Sequence, residues 1–171
     1  MKPILTVFLL VLALVSVTFA GPMMAPYKGS AEFERMKSLA GTWNGEVDMG
    51  EGPQPMTVKY RVVSGGSAVE ELTFAGTPKE MVTLYYDKDG RLAMTHYCSL
   101  QNRPTMALKS ADGDSITFEF DPTCGINPKT EMHMHSLVLD IGDDELTQTW
   151  TLFQDGKAGH AMPFTLKRAA D

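Results

Sequence analysis

From residue 42 onward, apolar and polar residues alternate in short runs, which is the pattern of β-strands that bury one face. Clear runs lie at 56–63, 116–120 and 146–152. Turn-forming pairs such as Gly65-Gly66 separate the runs, because glycine adopts the positive φ of tight hairpins without steric cost. The pattern predicts ten strands, at 42–49, 55–63, 68–74, 80–87, 91–99, 104–109, 114–120, 131–140, 145–153 and 160–167.

One helical segment precedes the strands. Ser30 can cap a helix over 31–39, which has Phe33 and Met36 at helical spacing and Gly41 after its end. No second helical block follows, so the sequence lacks the crossover helices that a parallel sheet requires. We therefore predict an all-β fold: a single antiparallel up-and-down β-barrel of about ten strands, preceded by a short N-terminal α-helix.

The first twenty residues have the pattern of a secretory signal peptide. Lys2 precedes an apolar run over 4–17, and the segment ends in the small residue Ala20. A membrane anchor is the alternative, but the run is shorter than the roughly 18 residues that a spanning helix needs. The sequence thus predicts export to the periplasm or the medium, with a signal peptide over 1–20, a flexible leader over 21–29 and a barrel domain over 30–171.

The composition is that of an ordinary globular protein with an acidic balance. The 171 residues are 43% hydrophobic and 21% charged, and the formal net charge is −6. The predicted signal peptide contains Lys2 and no acidic residue, so the mature chain carries a net charge of −7. This balance argues against a nucleic-acid partner, which normally meets a basic patch. We also expect no membrane span in the mature chain, and the oligomeric state stays open.

The first strand opens with a sequence found in a known superfamily. The segment 39–45, with Trp43 near its centre, resembles the Gly-x-Trp opening of the calycins, which include lipocalins, fatty-acid-binding proteins and haem-binding nitrobindins. The resemblance implies that Trp43 plugs the closed end of a barrel.

A longer resemblance covers most of the mature chain. Segments 94–98 and 132–135, together with Asn102, Pro104 and Trp150, are similar to a group of uncharacterised bacterial exported proteins. That group is described as a domain of unknown function with a lipocalin-like or nitrobindin-like barrel. The resemblance therefore implies a calycin fold and does not specify an activity.

Three histidines and one cysteine form the group of residues that favours a metal or haem site. His96 and Cys98 lie two residues apart in one predicted strand, and His133 and His135 do so in another, so each pair shares a face. Apolar residues share both faces, which predicts that both pairs point into the barrel. Imidazole and thiolate suit zinc, copper or iron, so these four residues are candidate metal ligands. The nitrobindin resemblance implies haem as a further candidate.

Other interpretations of this cluster stay open. Met132 and Met134 are also apolar, which allows His133 and His135 to face outward instead. Inward histidines can equally form a polar pocket without metal. An exported chain with two cysteines often has one disulfide, and a bridge between Cys98 and Cys124 would remove Cys98 from the candidate metal ligands.

Two adjacent carboxylates lie in the third predicted strand. Glu70 and Glu71 must face opposite sides of that strand. If Leu72 and Phe74 point inward, Glu70 does so too, and it then needs a partner such as Arg61 or a ligand.

The fold and the cluster predict an exported small-molecule-binding barrel with a polar interior pocket. The candidate ligand-binding residues are His96, His133, His135, Tyr60, Met94, Trp150 and Asn102. One alternative is a metal- or haem-dependent enzyme that uses the His/Cys cluster. The other is a structural or stress-related envelope protein without a ligand. Common motifs of serine hydrolases, phosphate-binding loops and zinc proteases are absent from the sequence.

Overall fold

The structure, a computed structural model, describes residues 25–48, 50 and 52–170. The predicted signal peptide and residues 21–24 of the predicted leader lie outside the described residues. The described chain contains one α-helix, α1 (Ala31–Lys37), and ten β-strands: β1 (Gly41–Asp48), β2 (Pro53–Val63), β3 (Ala68–Thr73), β4 (Met81–Lys88), β5 (Arg91–Tyr97), β6 (Thr105–Asp112), β7 (Ser115–Phe120), β8 (His133–Ile141), β9 (Glu145–Gln154) and β10 (Lys157–Arg168). No helix within these residues has the length and apolarity needed to cross a membrane.

The ten strands form one closed antiparallel barrel. Each strand pairs with the next along the chain, and β10 pairs with β1, where Trp43 lies opposite Arg168. Closure pairs the backbone groups that an open sheet would expose at its edges. The predicted all-β class, antiparallel barrel, ten strands and preceding short helix are confirmed, with strand ends that differ by a few residues.

Alternate residues of the strands form the core, as the sequence pattern predicts. The side chains that point into the barrel are almost completely buried, among them Val58, Tyr60, Met94, Met106, Phe118 and Trp150. Outward-facing neighbours such as Lys59 and Glu119 are exposed. The alternation therefore identifies the buried face of most strands.

Helix α1 covers one end of the barrel, which we call the closed end. Phe33 and Met36 on its inner face are fully buried, and so is Leu39 just after it. Trp43 lies beneath them, and its indole Nε1 donates to the carbonyl of Leu39 at 2.8 Å. The Arg168 guanidinium lies 4.2 Å from the Trp43 ring, a distance typical of a cation–π contact. These contacts fill the closed end with side chains.

The segment before α1 is hydrogen bonded to the barrel. Ser30 caps the helix through its Oγ, which accepts from the amide of Phe33 at 3.2 Å. The Ser30 amide and hydroxyl both donate to the Asp87 carboxylate on β4 at 2.7 Å. Tyr27 donates its amide to Gly65 at 3.2 Å. Tyr27, within the predicted leader, is thus hydrogen bonded to the turn that follows β2, and the predicted boundaries of the leader stay a prediction.

Candidate functional site

An apolar cavity of about 230 Å³ lies at the end of the barrel opposite α1, which we call the open end. Strands β3, β5 and β9 end there, and β4, β8 and β10 begin there. Most of its wall is hydrophobic, formed by Phe74, Met81, Leu100, Met134, Trp150, Leu152, Met162 and Phe164. The polar members of the wall are Thr73, Lys79, His96, Cys98 and Ser99. A concave apolar site with a few polar groups is the usual form of a small-molecule site.

His96 on β5 is the buried polar group of this wall. Its side chain is 2% exposed, and its Nδ1 lies 2.9 Å from the hydroxyl of Thr83 on β4. Its ring packs at 4.7 Å from that of Trp150. Within the described residues, its Nε2 is buried and has no hydrogen-bond partner. A buried polar atom left unpaired costs about 1–3 kcal/mol.

Burial also determines the charge of His96. Desolvation lowers the pKa of its imidazole from 6.5 to about 4, because the apolar surroundings disfavour the charged form. The ring is therefore neutral at pH 7. One ring nitrogen then carries a proton and the other a lone pair, so Nε2 can donate or accept according to the hydrogen bond that Thr83 makes with Nδ1.

His133 and His135 do not face this cavity, which corrects their predicted position. Met134 between them is part of the cavity wall, and successive side chains of a strand point to opposite faces. The register of β8 shifts between Met134 and Ser136, which makes His135 the extra residue of a β-bulge. Neither histidine lines the cavity, although His133 is fully buried.

The two histidines instead form a hydrogen-bonded pair between aromatic rings. His133 Nδ1 lies 2.7 Å from the carbonyl of Glu131, and its Nε2 lies 3.1 Å from Nδ1 of His135. The His135 ring stacks at 4.1 Å on Phe153 and at 5.2 Å on Phe120. Burial, and then the neighbouring His133, lower the pKa of His135. Both nitrogens of His133 are thus hydrogen bonded, and both rings pack against aromatic side chains.

The four predicted metal ligands are not brought together. Cys98 lines the cavity with His96, whereas the bulge in β8 turns His133 and His135 away from it. Within the described residues, no three His, Cys, Asp or Glu side chains form a cluster that could hold a metal ion. The predicted set of His96, Cys98, His133 and His135 is therefore not assembled in the structure, because it required the outward face of β8 to point inward.

Both cysteines are free thiols in the structure. Cys98 follows β5 and is half-buried, and burial raises the pKa of its thiol. Cys124 ends a short 3₁₀ turn, Pro122–Cys124, after β7. The disulfide between them stays a prediction.

Haem, which the nitrobindin resemblance implies, does not fit this site. The cavity of about 230 Å³ is smaller than the roughly 300–1,000 Å³ typical of drug-sized ligands, and a porphyrin needs space at the large end of that range.

The other predicted ligand-binding residues divide between wall, core and loop. Trp150 belongs to the cavity wall, whereas Tyr60 and Met94 lie in the buried core. Asn102 lies in the loop between β5 and β6, where its Nδ2 donates to the carbonyl of Met132 at 2.8 Å. Its Oδ1 is buried and has no partner within the described residues. Asn102 thus links that loop to the residue before β8.

A polar network behind the wall was not predicted from the sequence. Glu71 is fully buried, and its carboxylate accepts from Thr73 Oγ1 at 2.6 Å and from the Tyr85 hydroxyl at 2.7 Å. Trp150 Nε1 donates to Gln148 Oε1 at 3.1 Å, and Gln148 Nε2 donates to the Tyr60 hydroxyl. The network therefore begins at two members of the cavity wall and continues into the core.

The tyrosines of this network stay neutral. Burial, and secondarily the Glu71 carboxylate, raise the pKa of Tyr60 and of Tyr85 well above the usual value. Both hydroxyls therefore keep their protons at neutral pH; that of Tyr85 donates to Glu71, and that of Tyr60 accepts from Gln148.

Of the two adjacent carboxylates, Glu71 faces inward, so the condition under which Glu70 would face inward is not met. Val69, Glu71 and Thr73 are buried, so Glu70 faces outward and forms an ion pair with Arg61 on β2. Arg61 is the partner that the sequence suggested, but on the outer surface. Leu72 is the misleading signal, because a leucine next to a carboxylate predicts the opposite face.

Comparisons with known proteins do not extend this description. No model of a known protein family matches the chain, and no curated protein is similar to it in sequence. The closed ten-stranded antiparallel barrel is consistent with a calycin-like fold.

Proposed function

We propose that this protein is an exported barrel that binds a small organic molecule in the cavity at its open end. One observation carries the proposal: an apolar cavity of about 230 Å³ contains His96 in its wall, and the Nε2 atom of that histidine is buried without a partner. Apolar walls supply the free energy of binding through burial, and a single polar atom orients the bound molecule.

The walls define the chemistry of the proposed ligand. Aromatic and thioether side chains, including Trp150, Phe164 and Met134, surround most of the space, which favours a compact apolar body. A hydrogen-bonding group on that body would pair with His96 Nε2. This bond would form away from bulk water, where hydrogen bonds are stronger.

N-Phenyl-1-naphthylamine, a neutral apolar dye with one N–H group, tests the proposal by fluorescence titration of the mature protein. We expect saturable binding, and we expect Leu100→Trp to abolish it because a larger side chain from the loop fills the cavity. His135→Ala is the matched control, since that ring lies outside the cavity wall and its loss leaves binding unchanged. Circular dichroism checks that the variants keep the barrel.

Two outcomes would contradict the proposal. The dye fails to bind the folded protein, or it binds Leu100→Trp as tightly as the unaltered chain. Loss of binding in His135→Ala with the barrel intact would move the site to the aromatic cluster around β8 and also overturn the assignment.

Export is the second part of the proposal and rests on the sequence of residues 1–20. We expect the mature protein to begin at Gly21, because cleavage follows the small residue Ala20. N-terminal sequencing of protein from the periplasm or the medium checks this. Recovery from the cytoplasm alone, with Met1 retained, would contradict it.

A soft metal ion is a second candidate occupant, favoured by one observation. Besides His96 and Cys98, three methionines contribute to the cavity wall, Met81, Met134 and Met162. Thiolate and thioether sulfur atoms select Cu(I). Titration with Cu(I) under reducing conditions, against a chelating competitor, tests this candidate. Stoichiometric binding that Met134→Leu weakens would support it, and no binding would exclude it.

A further inference from the structure

We propose that the ligand is an organic anion whose negative group pairs with Lys79 at the rim of the cavity. This inference rests on the proposed function and adds the chemical class of the ligand: an apolar body that carries one carboxylate or sulfonate. The cavity wall contains a single formally charged side chain, that of Lys79.

The placement of Lys79 suits this role. Lys79 is exposed, yet it contributes to an otherwise apolar wall. Lysines in such positions pack the alkyl stem on apolar surface and keep the ammonium group in water. Within the described residues, Lys79 takes part in none of the ion pairs, which use Lys37, Lys88 and Lys109 among the lysines. Its charge is therefore available to a ligand.

The loop that carries Lys79 is held by its own hydrogen bonds. The Thr77 amide and hydroxyl both donate to the Phe74 carbonyl, at 3.1 and 2.9 Å, and the Lys79 amide donates to the Thr77 hydroxyl at 3.1 Å. Glu80, the acidic neighbour, accepts from the Gly76 amide at 2.7 Å. These hydrogen bonds thus fix the backbone of Lys79, and the Glu80 carboxylate is hydrogen bonded to the Gly76 amide rather than to the Lys79 ammonium.

A second cavity indicates where the anionic group would lie. A cavity of about 270 Å³ between this loop and the start of β2 includes Gln54 and Pro55. It shares only Phe74 and Lys79 with the first cavity. A ligand with its apolar body beside His96 would therefore place its charged end at this junction, next to the Lys79 ammonium and solvent.

The size of the effect follows from the exposure of Lys79. An exposed ion pair contributes about 0.2–1 kcal/mol, which corresponds to a change in affinity of roughly 1.5- to 5-fold. Burial of the apolar body contributes more, so Lys79 selects among ligands of similar shape. The selection should weaken at high ionic strength, because salt screens exposed charges.

Two dyes with the same aromatic body isolate the contribution of the Lys79 charge to the affinity. 8-Anilino-1-naphthalenesulfonate is N-phenyl-1-naphthylamine with an added sulfonate, so the ratio of their dissociation constants reports on the charge. In Lys79→Met the sulfonate should lose roughly 1.5- to 5-fold in affinity relative to the neutral dye, and in Lys79→Glu it should lose more. Methionine retains an apolar stem, which leaves the neutral dye unaffected. Lys59→Met is the control, since Lys59 lies on the outer face of β2.

The outcomes separate the inference from the proposed function. An unchanged ratio in both Lys79 variants, with the neutral dye still bound, would overturn the inference and leave the proposed function standing. If Lys59→Met causes the same loss of sulfonate affinity relative to the neutral dye, the effect is one of general net charge, and the inference is also overturned. Failure of the neutral dye to bind at all would overturn the proposed function itself.

Discussion

At the scale of single residues, Glu71 is the group that most needs an explanation. A buried carboxylate loses its hydration, and this loss must be offset by hydrogen bonds. Two hydroxyls donate to it, those of Thr73 and Tyr85. Its neighbour Glu70 faces outward and is paired with Arg61. Two adjacent positions of β3 thus hold the same side chain in two environments, one in the buried core and one on the outer surface.

Glu71→Ala should lower the free energy of unfolding by about 2–5 kcal/mol, because it leaves two buried hydroxyl donors without an acceptor. Glu71→Gln should cost less, since its amide oxygen still accepts one bond. Urea unfolding monitored by circular dichroism measures both. Glu70→Ala is the control and should cost less than about 1 kcal/mol, the usual limit for an exposed ion pair. Equal losses at the two positions would contradict the described network.

His96 predicts a specific dependence of stability on pH. The pKa of its imidazole is about 4 in the folded protein, against 6.5 as the ordinary value. Between these values the unfolded chain binds the proton more strongly, so stability falls as pH falls from 6.5 toward 4. The neutral His96 imidazole therefore contributes its full share to the free energy of unfolding above pH 6.5. When the pH falls through 4, roughly 3 kcal/mol of that free energy is lost.

The variant His96→Phe isolates this contribution. Between pH 7 and pH 5, the unaltered protein should lose about 2 kcal/mol more stability than the variant. Urea unfolding at the two pH values measures the difference, and groups that titrate in both proteins cancel. If both proteins show the same pH dependence, His96 is not a buried neutral imidazole.

At the scale of elements, the strand pattern was predictable and some strand faces were not. Alternation along β2, β7 and β9 identifies their buried residues, including Gln148 between Leu146 and Trp150. In β8 the bulge at His135 breaks the alternation. A bulge arises from pairing with neighbouring strands, so no local pattern in β8 predicts it. The inward direction predicted for His133 and His135 assumed unbroken alternation through this residue.

The loop between β3 and β4 shows a second limit of the sequence. Phe74 and Lys79 line the cavity, yet neither lies in a motif that indicates binding. Phe74 has a positive φ of 56°, which is unusual for a bulky residue. The position of the loop depends on where β3 and β4 meet the rest of the barrel, which only the closed structure defines.

At the scale of the whole molecule, the two ends of the barrel differ in how they are filled. At the closed end, α1 and Trp43 pack over the core, and the structure agrees with the role that the calycin resemblance implies for Trp43. At the open end, an apolar cavity remains. Barrel closure brings His96 on β5 to that end together with Met134 on β8 and Trp150 on β9, although β6 and β7 lie between them along the chain. The class of fold was therefore predictable, whereas the membership of the site required the topology.

The central claim is that the cavity next to His96 and Cys98 is a binding site, and protection of Cys98 from alkylation tests it most directly. Cys98 lines the cavity, whereas Cys124 lies in the turn after β7 and serves as an internal control. N-Ethylmaleimide labelling, followed by mass spectrometry of peptides, gives the rate at each thiol with and without N-phenyl-1-naphthylamine.

We predict that saturating dye slows the labelling of Cys98 at least several-fold and leaves the rate at Cys124 unchanged. Equal rates at Cys98 with and without bound dye would contradict the account, because the dye would then occupy another part of the molecule. Absence of labelling at both cysteines of the native protein, reversed by a reductant, would also contradict the free thiols and would confirm the disulfide predicted from the sequence.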